Sequence, residues 1–223
     1  MKIVQLDWKR ATGDERDLTE LSLEELMDIE VTSAGKKAQR LSETAAAVFV
    51  ITQEDIQRSG ATTLPDLLRM VPGLQVARID ANKWAISIRG FNWRFANQLL
   101  VQIDGRSVYT PTFSGVFWDV QDLLLEDVER IEVIRGPGSA MWGSNAVNGI
   151  INIITKEPDP KKPFAAEAQT LYGEFETLKS HGTLSGTVDR LGYLLSLTHE
   201  ESDGFREHTE YEQDAIYGKI NYE

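Results

Sequence analysis

The sequence contains no cysteine, so disulfide bonds and thiol catalysis are excluded. It also has no excess of positive charge, because 23 Lys and Arg residues stand against 35 Asp and Glu residues and the formal net charge is -12. Phosphate backbones bind surfaces that are rich in Lys and Arg. We therefore expect no nucleic acid among the partners.

No hydrophobic run approaches the roughly 20 residues of a membrane-spanning helix. A membrane role would therefore have to use tilted β-strands of about 9 to 11 residues. Asp7, Lys9 and Arg10 interrupt the N-terminal segment, which is not apolar enough for a signal peptide. We expect residues 1–42 to form a mobile leader with a short helix at 23–28.

The most informative stretch runs from Glu132 to Lys156, where a glycine-dense loop joins two apolar strands. Arg135 ends the first of these strands and precedes a glycine. A smaller version occurs earlier, where Arg89 follows an alternating strand and also precedes a glycine. Each motif alone is weak evidence for any fold or family, so we compare the order in which several of them occur.

Taken in this order, the motifs resemble the plug domain of TonB-dependent outer-membrane receptors. The resemblance covers roughly residues 42–156. The segments that carry it are Ile88-Arg89-Gly90, Ile103-Asp104-Gly105, Val128-Glu129-Arg130-Ile131-Glu132-Val133 and Asn152-Ile153-Ile154-Thr155-Lys156.

The resemblance implies an α+β plug domain, a small mixed sheet with short helices, at residues 43–157. Cap and breaker residues predict one helix that begins at Thr52 and ends at Gly60, and another from Thr63 to Pro72. Strands are expected near residues 74–79, 85–89, 99–103, 128–134 and 149–155.

The last part of the chain has a different pattern. Residues 158–163 are rich in proline and charge and are expected to be a linker. In residues 164–223 apolar and polar side chains alternate, which fits a soluble antiparallel sheet as well as a lipid-facing barrel. The resemblance favours antiparallel β-strands of an incomplete transmembrane β-barrel. About four strands are present and plugged outer-membrane transporters need roughly 22, so we expect a truncated barrel in a fragment of a longer protein.

The resemblance also implies roles for particular residues. Arg89 and Arg135 would pair with barrel glutamates and lock the plug in place, whereas their spacing alone fits two solvated surface arginines equally well. An extended segment would recruit the TonB-type energy-coupling protein by strand addition. This coupling-protein box consists of Ile29, Glu30, Val31, Thr32, Ser33 and Ala34.

Two aromatic loops, residues 91–97 and 109–118, are candidates for ligand contact, because exposed aromatic loops typically serve recognition. The alternative for each residue is packing against the barrel wall. The expected ligand-binding residues are Trp93, Arg94, Tyr109, Phe113 and Trp118.

No catalytic constellation is expected. The glycines at 136, 138, 143 and 149 lack the Gly-Lys-Ser/Thr element of a phosphate loop and are expected to allow close backbone packing. Asp104 is expected to have a structural role in a turn. His181, His199 and His208 match no metal-site spacing, so neither a metal nor a cofactor is expected.

The resemblance implies energised uptake of a scarce ligand, such as an iron-siderophore complex or cobalamin, across the outer membrane of a Gram-negative bacterium. The partners would be the coupling protein, the rest of the barrel and a metal-chelate or cobalamin-like ligand. The 223 residues alone would not transport. The alternatives are an autonomous periplasmic ligand-binding or interaction module with a plug-like fold and, with less support, a soluble acidic hydrolase.

Overall fold

The computed structural model describes residues 30–31, 39–40, 46–121 and 123–222. The helix predicted at 23–28 lies outside these residues. Four residues of the predicted coupling-protein box, Ile29, Thr32, Ser33 and Ala34, also lie outside them.

A mixed sheet organises the N-terminal unit, residues 46–157. Its strand order is β3-β10-β11-β6-β7, in which β11 and β6 are parallel and the other neighbours are antiparallel. The five long strands predicted here all form, with ends shifted by at most one residue. The strands are β1 (Glu30–Val31), β2 (Gln39–Arg40), β3 (Val48–Thr52), β4 (Leu74–Arg78), β5 (Trp84–Ile88), β6 (Leu99–Ile103), β7 (Arg106–Ser107), β8 (Tyr109–Thr110), β9 (Gly115–Val116), β10 (Val128–Ile134) and β11 (Gly149–Thr155).

Within the described ranges, three short α-helices accompany the sheet: α1 (Gln53–Ser59), α2 (Leu64–Leu67) and α3 (Ser139–Trp142). Helix α1 begins as predicted, because Thr52 and Asp55 form a reciprocal capping box. It ends as predicted at Gly60, which adopts a left-handed conformation with φ of 66°.

The second predicted helix is shorter in α-helical form than expected. Thr63 caps α2, and the chain continues as a 3-10 turn over Leu68–Met70 before Val71 becomes extended. Later in the described part of the chain, 3-10 turns also occur at Trp118–Val120 and Leu125–Asp127. Helix α3 lies in the glycine-dense loop, for which no helix was predicted.

The main core lies on one face of the mixed sheet. Ile131 and Val133 of β10, with Ile151 and Ile153 of β11, are fully buried there, and Leu67 of α2 packs against the same cluster. Burying each large aliphatic side chain contributes about 1.5–3 kcal/mol. The β-branched residues on this face of the strands thus form the packed core beneath the loops at the ends of the sheet.

A second, fully antiparallel sheet follows, and we call it the wall. Its strand order is β12-β13-β14-β15, with β12 and β15 left as unpaired edges among the described residues. The strands are β12 (Ala165–Tyr172), β13 (Leu178–Val188), β14 (Leu191–Ser202) and β15 (Tyr211–Tyr222). The chain is therefore an α+β unit followed by part of an unclosed antiparallel sheet, as expected.

The alternation in the wall separates two faces. Leu197, Ile216 and Ile220 point away from the N-terminal unit and are 51%, 76% and 76% exposed. Ser196 and Thr198 point toward it and are buried. Among the described residues, no helix is both long and apolar enough to span a membrane.

The N-terminal unit covers the polar face of the wall with one end of its mixed sheet. Val128 of β10 pairs with Thr155 of β11 at this near end, and Tyr217 of the wall contacts Thr155 across a distance of 3.1 Å between hydroxyl oxygens. Ile134 pairs with Ile150 at the far end of the same strands, about 20 Å away for strands of this length.

Candidate functional site

The two predicted locking arginines lie together at the far end of the mixed sheet. Arg89 Nη2 donates to the carbonyl oxygen of Arg135 at 3.2 Å, and Arg135 Nη1 donates to the carbonyl oxygen of Pro72 at 3.2 Å. Within the described ranges neither forms an ion pair with a carboxylate, and the buried Nε of Arg135 has no hydrogen-bond partner. The fold therefore gathers both cations on the side away from the wall.

An aromatic cluster forms where the two predicted ligand loops meet. The rings of Phe95 and Phe113 stack at 4.9 Å, Phe113 and Phe117 lie 5.0 Å apart, and Trp93 packs edge-on against Phe95 at 5.9 Å. Such pairs each contribute about 0.5–1.5 kcal/mol beyond simple burial. The two loops thus form one surface.

Arg94 lies within this cluster. Its guanidinium sits 5.0 Å from the centre of the Phe95 ring and 5.6 Å from that of Phe117, and Nη2 donates to Asp119 Oδ2 at 2.6 Å. Asp119 Oδ1 is buried and has no partner among the described residues. The site therefore presents aromatic rings around a partly buried ion pair.

The predicted ligand residues do not all reach this surface. Trp93 and Phe113 are 49% and 42% exposed, and the Arg94 side chain is 33% exposed. Tyr109 is half-buried in β8 and pairs with β9 instead of joining the cluster. Trp118 is only 6% exposed and belongs to the core, so we correct that prediction: its ring is not available to a ligand here.

Sequence reasoning missed Phe95, Phe117 and Asp119 as members of the site. The first two lie inside the loops that were singled out for their aromatics, so the aromatic density could have found them. Asp119 carried no signal, because only folding brings it to Arg94, 25 positions away in the sequence.

Asp104 does more than shape a turn. It and Gly105 both have positive φ, 47° and 77°, as a two-residue hairpin between β6 and β7 requires. Its carboxylate accepts hydrogen bonds from the Thr155 amide at 2.9 Å, the Thr155 hydroxyl at 2.6 Å and the Tyr217 hydroxyl at 2.8 Å. The purely local role expected for Asp104 was therefore incomplete, since it also contacts the wall.

The environment of Asp104 favours its ionised form. Partial burial pushes its pKa up, but the hydrogen bonds from Thr155 and Tyr217 and the charge of Lys219 outweigh that effect and lower the pKa below its ordinary value. Lys219 also donates to Glu157 at 2.5 Å, which connects the end of the N-terminal unit to β15.

Asp127 is a second carboxylate between the N-terminal unit and the wall. It is 3% exposed, and it accepts hydrogen bonds from Ser196 and, at 3.2 Å, from Thr183. Burial is the largest influence and raises its pKa, although both hydroxyls act in the opposite direction. Nothing in the sequence pattern singled it out.

The glycines of the loop before β11 serve different purposes. A Cβ on Gly149 would lie 2.6 Å from the Ile134 carbonyl oxygen, and one on Gly138 would lie 2.7 Å from Ile150 Cδ1. These two allow the close packing that was expected. Gly143 instead has φ of 93°, and Gly136 has open space around it, so close packing is wrong for those two.

The predicted coupling-protein box is described only at Glu30 and Val31. They pair antiparallel with Gln39 and Arg40, and Val31 is buried.

The histidines form no metal site within the part of the chain that the structure describes. His181 lies 3.8 Å from Glu126, and His199 lies 2.9 Å from Asp214.

Comparison with known proteins agrees with this architecture. A mixed-sheet unit seated on the polar face of an unclosed sheet, whose other face is apolar, defines the class of plugged membrane barrels. Residues 40–150 match the family described as the TonB-dependent receptor plug domain. The chain belongs to the TonB-dependent receptor family, a family of receptors and transporters.

Relatives of known function are similar to parts of this chain. The vitamin B12 transporter BtuB of Vibrio vulnificus is 36% identical over 130 residues, which are 57% of this chain and 20% of BtuB. The pyoverdine outer membrane receptor FpvA of Pseudomonas aeruginosa matches with a TM-score of 0.71 at 21% identity, over 86% of this chain and 27% of FpvA.

The ferric-catecholate import receptor Fiu of E. coli matches with a TM-score of 0.62 at 25% identity, over 85% of this chain and 26% of Fiu. This chain therefore spans about a fifth to a quarter of the length of these three relatives.

Proposed function

We propose that the chain is the N-terminal part of a receptor in the outer membrane of a Gram-negative bacterium, which takes up a scarce ligand with energy supplied through a coupling protein. The observation that carries this proposal is the position of the N-terminal unit, hereafter the plug. It covers the polar face of wall strands whose apolar face points outward. A polar lumen filled by a folded domain is the arrangement of a gated pore.

The proposed division of the chain follows from this organisation. Residues 1–42 form the leader with the coupling-protein box, 43–157 the plug, 158–163 a linker and 164–223 the first strands of the barrel. Four strands cannot enclose a lumen, because an open edge in hydrocarbon leaves main-chain groups unpaired at several kcal/mol each. The 223 residues are therefore not expected to transport by themselves.

The ligand is proposed to be a large chelate, either an iron-siderophore complex or a cobalamin. The surface of Trp93, Arg94 and Phe113 offers exposed rings beside a guanidinium, which suits a ligand with planar and anionic groups. Tyr109 is proposed as a more peripheral contact. The likeness to a vitamin B12 transporter and to siderophore receptors supports this range of ligands.

The two arginines are proposed to lock the plug against the opposite side of the barrel. Arg89 and Arg135 lie at the end of the sheet that the described wall does not reach, where later strands would supply carboxylates. Guanidinium groups form strong paired hydrogen bonds with carboxylates in partly buried sites.

The segment Ile29 to Ala34 is proposed to bind the coupling protein by strand addition. Its described part, Glu30 and Val31, is already extended and hydrogen-bonded as a strand.

The test uses the longer receptor in a Gram-negative strain without competing receptors. Uptake of vitamin B12, ferripyoverdine and a ferric catecholate would be measured with and without the coupling protein. We expect one ligand class to be taken up only when the coupling protein is present, and Trp93→Ala and Phe113→Ala to weaken its binding.

Phe164→Ala is the matched control, because Phe164 is 64% exposed but lies near the linker. Soluble, monomeric behaviour of residues 1–223 with unaided ligand binding would instead identify an autonomous binding module and overturn the proposal.

A further inference from the structure

The carboxylate of Asp127 reaches out of the plug to a pair of hydroxyl groups on the wall. Thr183 of β13 and Ser196 of β14 are directly opposite each other, with their hydroxyl oxygens 3.0 Å apart, and both donate to Asp127. In the described part of the plug, no side chain donates a hydrogen bond to this carboxylate. The contact therefore exists only while the plug is seated on the wall.

A carboxylate in this position is unfavourable unless the wall supplies its hydrogen bonds. Asp127 is 3% exposed, and no cation forms an ion pair with it within the described ranges. Removing a charge from water without compensating partners destabilises the site in which it is buried. Seating of the plug is thus favourable at Asp127 where the wall places two hydroxyl donors within reach of its carboxylate.

Within two rungs on either side, the wall offers such a pair only at this level, and a further hydroxyl pair, Thr177 and Ser202, lies three rungs away. Neighbouring rungs on the same face are His181–Thr198 on one side and Ser185–Leu194 on the other, and each has at most one hydroxyl. The rungs beyond them, Lys179–Glu200 and Thr187–Gly192, likewise lack a hydroxyl pair. A slip of one rung moves the plug by about 7 Å and deprives Asp127 of the hydroxyl pair, because one neighbouring rung offers Thr198 beside the larger His181 imidazole and the other offers only the Ser185 hydroxyl.

We propose that Asp127 is a positioning residue that fixes the level at which the plug seats on the wall, by selecting the rung of Thr183 and Ser196. Asp104 with Tyr217 forms a second contact at the same end of the sheet, so two points define the orientation of the plug. This inference rests on the plug and barrel organisation, and it is independent of which ligand is carried.

The position of the plug can be measured with two spin labels, because the sequence has no cysteine of its own. Val147→Cys places one label on the plug and Ile216→Cys places the other on the outer face of β15, at sites that are 47% and 76% exposed. Pulsed electron paramagnetic resonance of the full chain in detergent micelles then gives the distribution of distances between plug and wall.

We expect Asp127→Ala to shift or broaden that distribution, and Asp127→Asn, which retains an acceptor oxygen, to restore most of it. Glu129→Ala is the control, because Glu129 is paired with Arg130 inside the plug, and it should leave the distribution unchanged. Identical distributions for the parent and Asp127→Ala would overturn the proposal.

Changes on the wall test the same contact from its other side. Thr183→Val with Ser196→Ala should displace the plug, and adding Asp127→Ala should reverse part of that displacement, because it removes the unsatisfied carboxylate. Ser180→Ala is the wall control, since that hydroxyl contacts Thr170 on the outer face. An effect of Asp127→Ala that is the same with and without the wall hydroxyls would contradict the inference, whatever the outcome of the uptake experiment.

Discussion

The hydroxyl of Tyr217 donates a hydrogen bond of 2.8 Å to Asp104 Oδ2, which joins the last wall strand to a hairpin turn 113 residues earlier. The same carboxylate oxygen accepts the Thr155 hydroxyl, so one atom connects the plug sheet to the wall. This contact leads to the first prediction.

Tyr217→Phe should lower the free energy of unfolding by about 1.5–3 kcal/mol, because it removes one hydrogen bond to a charged group and keeps the ring. Chemical unfolding of the chain in detergent micelles would measure the change. Tyr222→Phe is the control, since Tyr222 is 77% exposed on the outer face. Equal effects of the two changes would show that Tyr217 does not join plug and wall.

Asp127 and Asp104 should make opposite contributions to the dependence of stability on pH. Burial raises the pKa of Asp127, so its contribution is fully present below its ordinary pKa of 3.8 and is lost as the pH rises through the raised value. The charges that bear on it are Lys156, which opposes this shift, and Glu126, which adds to it. Asp127→Asn should therefore remove a fall in melting temperature that the parent shows as the pH rises from the ordinary pKa of 3.8 through the raised value.

Asp104 should act in the other direction. Although burial opposes ionisation, its hydrogen bonds lower its pKa, so its contribution is present above 3.8 and disappears as the pH falls through the lowered value. Asp104→Asn should thus reduce the melting temperature near neutral pH and make little difference in strong acid. Parallel pH profiles for the two variants would contradict both assignments.

Gly149→Ala should destabilise the plug by about 1–3 kcal/mol, because the new methyl group would meet the Ile134 carbonyl oxygen and Ile88 in a packed region. Gly136→Ala, in the same loop but with nothing within 4 Å of its Cβ, should change stability by no more than about 0.5 kcal/mol. Thermal unfolding of both variants measures the difference, and tolerance of Gly149→Ala would show that the sheet can relax there.

Arg89→Ala should have little effect on the 223-residue chain, within about 0.5 kcal/mol, because the Arg89 side chain makes one exposed hydrogen bond there. In the longer receptor the same change should reduce the stability by more, since a carboxylate that pairs with Arg89 there would lose its cation. Comparison of melting temperatures in the two contexts tests the locking role. An equally small effect in both would support two solvated arginines.

The local pattern predicted most elements of the fold. Thr52, Asp55 and Gly60 determine the ends of α1 through their own backbone and side-chain chemistry, and the alternation of Leu197 with Ser196 assigns each side of a wall strand. These features depend on neighbours in sequence, so the sequence alone determined them, together with the absence of thiol chemistry and the family motifs.

Only the tertiary structure decided which side chains meet. Asp119 reaches Arg94, Asp127 reaches Ser196 and Asp104 reaches Tyr217 across 25, 69 and 113 positions, and no periodicity records such pairs. The tertiary structure also buries Trp118 in the core and not on the ligand surface. The local sequence could not predict this, because an aromatic ring in a loop can pack inward or outward. Contacts between distant segments depend on how the two sheets pack against each other. That packing is decided by the sum of many small burial and hydrogen-bond free energies, which no local stretch of sequence contains.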